Sequence, residues 1–147
     1  MSLSQQLSED LKQAMKDKDK LRLSVIRMVR AAVRNKEIDS GTTLTDDEIV
    51  QVVQKELKQR RDSLQVFESA GRTDLADKVK SEIDILMTYL PAQLSDDELQ
   101  SLVQEAIAQA GAKSKGDIGK VMPVVMPKVK GRADGKKVQQ MVQALLP

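Results

Sequence analysis

A chain of 147 residues with 31% charged and 40% hydrophobic residues has a globular composition, and it is long enough for one domain or for two small ones. It has no cysteine and no histidine, which excludes disulfides and thiol catalysis and removes the commonest general base and the commonest zinc ligand. The net charge of +2 is near balance, so basic character can come only from clustering, and Phe67 and Tyr89 are too few aromatics for binding by base stacking.

In chain order, Leu3, Leu7, Leu11, Ala14 and Met15 form a first amphipathic stripe, with Ser2 and Gln5 spaced as a capping box. The first twenty residues contain no apolar core of signal-peptide length and no run approaches a membrane span, so a soluble cytoplasmic protein is expected. Lys16-Asp17-Lys18-Asp19-Lys20 has the composition of a solvated linker. A second helix runs from about Leu21 to Asp39, with Val25, Met28, Val29, Ala32 and Val33 on its apolar side. At 100° per residue Lys20, Arg27, Arg30 and Arg34 share another side, a candidate second basic face or an ordinary solvated one.

Leu44-Thr45-Asp46-Asp47-Glu48-Ile49 combines a capping box with a hydrophobic staple, and Leu94-Ser95-Asp96-Asp97-Glu98-Leu99 repeats the device. The third helix extends to about Ser69, the chain turns at Ala70 to Asp74, and Thr73 or Asp74 caps a fourth helix. These two helices are expected to form a long antiparallel hairpin, closed at Tyr89-Leu90-Pro91 because proline drives the residue before it out of the helical region. Arg60 interrupts the apolar stripe of Ile49, Val53, Leu64 and Phe67. Counting back through Gly71 sets it opposite Glu82, and an ion pair between the two is expected, with snorkelling of the guanidinium as the alternative.

A domain boundary is expected between Pro91 and Ser95, giving a helical domain over 1–91 and a three-helix domain over 95–147. Leu99, Leu102, Val103, Ala106 and Ile107 stripe the first helix of that domain, which stops at Gly111. Ser114 with Asp117 reads as the capping box of the next helix, Pro123 should kink it and Pro127 should disrupt its last turn. Asp134 caps the final helix, striped by Val138, Met141, Val142 and Leu145. The fold class is therefore all-α, with seven helices and no sheet.

Lys55-Glu56-Leu57-Lys58-Gln59-Arg60-Arg61-Asp62-Ser63, Phe67, Arg72-x-Asp74-Leu75, Glu82-Ile83 and Tyr89-Leu90-Pro91 resemble the helical part of the YqeY proteins. Gly119-Lys120-Val121-Met122, Met126-Pro127-Lys128-Val129-Lys130-Gly131 and Ala133-Asp134-Gly135 resemble their C-terminal part, with Pro123 standing where a glycine is expected. The resemblance covers nearly the whole chain. It implies a larger N-terminal helical domain and a smaller C-terminal one. It also implies kinship with the tail of the B subunit of the glutamyl/aspartyl-tRNA amidotransferase, a tail that helps hold the tRNA body.

Three functions are compatible with these residues. The first is a non-catalytic accessory protein that binds tRNA or works beside an amidotransferase, gripping phosphates through Lys120, Lys128, Lys130, Arg132, Lys136 and Lys137, the last five of which converge on the turn before the last helix. The second is a carbon-nitrogen ligase with glutamine as amide donor, but the chain has no Cys-His pair, phosphate loop or serine-lysine amidase motif to carry it. The third is a protein-protein adaptor. Asp62, Asp74, Asp77, Glu82 and Asp84 read as a solvated face, so no metal site and no cofactor are expected, and tRNA or an amidotransferase is the expected partner.

Overall fold

A computed structural model describes all residues, Met1–Pro147. It contains seven α-helices and no strand: α1 (Leu3–Lys16), α2 (Lys20–Ser40), α3 (Asp46–Ser69), α4 (Thr73–Met87), α5 (Asp96–Ala110), α6 (Ile118–Val129) and α7 (Gly135–Leu145). One 3-10 turn, Lys115–Asp117, precedes α6. The chain divides into two compact units, Met1–Leu90 and Pro91–Pro147.

Helix starts are written locally. At Ser2, Thr45 and Ser95 the hydroxyl accepts the backbone N–H of the residue three positions on, and the side chain of that residue, Gln5, Glu48 or Glu98, accepts the cap's own N–H. Two orphan donors are satisfied at each helix start. These hydrogen bonds hold the Glu48 and Glu98 carboxyls below their ordinary value. α4 starts differently from expectation: Arg72 occupies the cap position without a side-chain cap bond, and Asp74 lies inside the first turn, where it accepts two 3.2 Å hydrogen bonds from the Arg72 guanidinium.

The first unit is built on Leu7, Val25, Ile26, Val29, Ile49, Val53, Leu57 and Leu86, all at most 3% exposed. Tyr89, two residues past α4, belongs to this core, and its hydroxyl donates to Asp10 Oδ2 at 2.6 Å, while Arg22 approaches Asp10 Oδ1 at 3.6 Å. Burial, with Asp10 adding to it, pushes the Tyr89 phenol well above its ordinary range. Arg60 is the one charged residue in the buried set, at 7% exposure. Its Nε lies 3.3 Å from Glu82 Oε2 on α4, its Nη1 lies 2.5 Å from Glu56 Oε2, and its Nη2 approaches Met28 Sδ on α2 at 3.3 Å. Three helices thus meet at one guanidinium, and no buried side-chain nitrogen or oxygen is left without a partner. Glu56 and Met28 escape a reading that follows only the stripe facing α4.

The second unit packs Leu99, Val103 and Ala106 of α5 against Val121, Val125 and Val129 of α6 and Val138 and Val142 of α7. α6 runs through both of its prolines without a break in the helix. Pro123 and Pro127 both lie on the exposed face, so the Gly119 and Pro123 carbonyls that lack an N–H donor are on the solvent side of the helix. Nor does Ser114 cap this helix: its side chain makes no cap bond, and the Asp117 carboxylate instead reaches back to the Lys113 N–H at 2.8 Å.

Candidate functional site

The basic residues of the second unit are positioned by a turn that is fixed in three directions. Gly131 is buried and stands at φ 78°, a left-handed conformation that a side chain would resist. It lets Arg132 and Ala133 return their N–H groups to the Val129 carbonyl at 2.8 and 3.2 Å. The segment Ala92–Leu94 then clamps the turn from outside. Gln93 Nε2 donates to the Gly131 carbonyl at 2.9 Å, Leu94 N–H donates to the Arg132 carbonyl at 2.9 Å, and Arg132 Nε donates to the Ala92 carbonyl at 3.2 Å. Asp134 caps α7, accepting the Lys136 N–H at 3.3 Å. Gln93 is a positioning residue with no signal in the sequence, because its partner lies 38 positions away.

The six residues expected to grip phosphate do not form one patch. Lys120 sits at the start of α6, exposed, with its ammonium 3.7 Å from Asp117. The Lys113 N–H, with Lys120 as a lesser contributor, holds the Asp117 carboxyl below its ordinary value. Lys128 reaches across to α5, donating to Gln109 Oε1 at 2.8 Å with Glu105 at 3.8 Å, while Lys137 pairs with Asp96 at the opposite end of α5. Residues 96 and 109 are about 20 Å apart at 1.5 Å rise per residue, so these two ammonium groups diverge along α5. What remains at the turn is Lys130 and Lys136, both exposed with no side-chain partner, and Arg132, whose Nε alone is engaged. Lys113 and Lys115 are likewise exposed at the far end of α6. No group of three or more Asp or Glu side chains is arranged to hold a metal ion.

In the first unit, Arg27, Arg30 and Arg34 are exposed on α2 and none has an ion-pair partner. They border a groove against α1. Lys20 lies on the same side of the helix but outside the groove's lining, at the first residue of α2.

The family model described as Yqey-like protein matches residues 4–146. The chain belongs to the YqeY family. Among curated relatives, this YqeY-family chain is 33% identical over 146 residues to altered inheritance of mitochondria protein 41, mitochondrial, of Pyrenophora tritici-repentis, covering 94% of the chain and 80% of that relative. The proteins of the same name from Lachancea thermotolerans and Saccharomyces cerevisiae are 40% identical over 85 residues and 30% identical over 122. Those matches cover 57% and 79% of the chain, and 46% and 66% of the relatives' own lengths. The expectation of a cytoplasmic protein is overturned by these relatives, which are named mitochondrial proteins. The lack of an apolar signal core speaks only to secretory leaders, whereas mitochondrial leaders are amphipathic and basic. No helix is long and apolar enough to cross a membrane.

Proposed function

We propose that this YqeY-family chain is a non-catalytic accessory protein that binds structured RNA of the tRNA class, or stands beside a tRNA-dependent amidotransferase, through the turn between α6 and α7. The two compact units act in this reading as separate domains, an N-terminal one over 1–91 containing the α3–α4 hairpin and a three-helix one over 95–147. The observation that carries it is the rigid, exposed basic turn: Lys130 and Lys136 flank a loop held by Gln93, Leu94 and Gly131, with no carboxylate on either ammonium. A turn whose backbone is already ordered gives up little entropy when it meets a phosphate. Lys120, Lys128 and Lys137 are held by ion pairs in which at least one partner is exposed, and such pairs contribute little to stability and can be exchanged for phosphate. Recognition of this kind reads RNA shape and backbone and does not need the aromatic platforms that the chain lacks.

Amide transfer from glutamine is disfavoured as an activity of the chain alone, since it needs an activated nucleophile and a phosphate-metal site. Neither is assembled by the residues around the basic turn. The experiment is a fluorescence titration of labelled tRNA with the full chain and with the Lys130→Gln/Lys136→Gln double variant. Both side chains are exposed and neither makes a hydrogen bond or ion pair, so helicity should be unchanged while affinity drops at least several-fold. Equal binding by both proteins places the RNA interface elsewhere, and ammonia release from glutamine by the purified chain would restore the enzyme reading.

A further inference from the structure

We infer that the groove between α1 and α2 is a binding site for a small soluble oligophosphate, a ligand carrying a chain of two or more phosphate groups such as a nucleoside di- or triphosphate. The inference is independent of the RNA reading, which concerns the other unit. The groove has a volume of about 530 Å³, and its wall is made by Ser4, Leu7 and Ser8 of α1 facing Arg27, Ala31 and Arg34 of α2. It exists because small side chains, Ser4, Ser8 and Ala31, meet where two larger ones would close the gap. Its floor is apolar and sealed, with Leu7, Val33 and Ile49 at most 8% exposed.

Arg27, Arg30 and Arg34 follow the spacing of one helical stripe, and all three border the groove. Like charges at this spacing repel, and soluble helices usually interleave carboxylates to relieve them. Here the one acidic residue in the lining is Glu37, and its Oε2 is occupied by the Leu44 N–H at 2.9 Å. Three guanidinium groups therefore face an open groove with two hydroxyls opposite, one carboxylate at its end and no ion pair to any of the three. Guanidinium is planar and donates in pairs, which matches phosphate oxygens, and serine hydroxyls complete such sites.

Size and shape select the ligand. Arg27 and Arg34 are about 10 Å apart along the helix axis, so a single phosphate cannot lie along the whole stripe, whereas a short phosphate chain can. The volume falls in the range of small-ligand sites, and Glu37 bounds one end with negative charge, which disfavours a long polyanion running past it.

The test uses the full chain and tripolyphosphate as the probe, followed by backbone amide NMR and by calorimetry. Tripolyphosphate should shift the amides of Ser4, Ser8 and Ala31 in a saturable manner, and Arg27→Gln/Arg30→Gln/Arg34→Gln should weaken binding at least tenfold. Lys115→Gln, in the other unit, should leave it unchanged. Circular dichroism of the triple variant confirms that the exposed substitutions keep the fold. No saturable shift, an undiminished affinity in the triple variant, or an equal loss in Lys115→Gln overturns the proposal. So does binding of single-stranded RNA with the same arginine dependence when tripolyphosphate does not bind.

Discussion

Replacing Arg60 by methionine keeps most of the side-chain volume and the stem, and removes only the charge that joins α2, α3 and α4. The guanidinium is held by Glu82 at 3.3 Å and Glu56 at 2.5 Å, and the three side chains are only 9%, 16% and 15% exposed. Removing one partner of a buried pair typically costs about 3–5 kcal/mol, because the other charge is left uncompensated. Residual solvent access at both glutamates points to the lower end, about 3 kcal/mol. With a urea m-value of about 2 kcal/mol/M, the midpoint should fall by about 1.5 M. Glu82→Gln, which leaves Glu56 in place, should cost only about 1 kcal/mol. A loss below about 1 kcal/mol for Arg60→Met would refute the view that this guanidinium is held by its two carboxylates.

Gly131→Ala should destabilise the second unit by about 1–2 kcal/mol, the cost of placing a side chain in the left-handed region, with the change read from thermal unfolding. Tyr89→Phe removes a hydrogen bond to a carboxylate and should cost about 1.5 kcal/mol near neutrality. The Tyr89 phenol is raised in the folded state above its ordinary value of 10.0, so its contribution is full below that pH and is lost as pH rises beyond it. Urea unfolding at pH 8 and above pH 10 should show the parent and Tyr89→Phe converging in stability at the higher pH.

The helices were legible because their signals are local. Capping boxes at Ser2, Thr45 and Ser95 sit next to the stripes they start, and Gly41 and Gly111 end helices where the stripes stop. What could not be read depends on partners distant in sequence. Arg60 was visible as a charge in an apolar stripe, yet its bonds to Glu56 and Met28 lie off the axis that the stripe defines. Gln93 has no pattern of its own and gains meaning only when Gly131 comes within 2.9 Å. The basic cluster shows the same limit. Spacing gathered Lys128 and Lys137 near one turn, but long flexible side chains settle on whatever acceptor is in reach, here Gln109 and Asp96 on α5. Proline rules also over-reached at Pro127, since an exposed face leaves the affected carbonyl on the solvent side and α6 continues to Val129.

The central claim, that the α6–α7 turn meets RNA phosphates, is tested most directly by the salt dependence of tRNA binding. The logarithm of the binding constant for the full chain should fall linearly with the logarithm of salt concentration, and Lys130→Gln/Lys136→Gln should flatten that slope by roughly one unit for each lysine–phosphate pair removed. Parallel slopes for the parent and the double variant would contradict the claim.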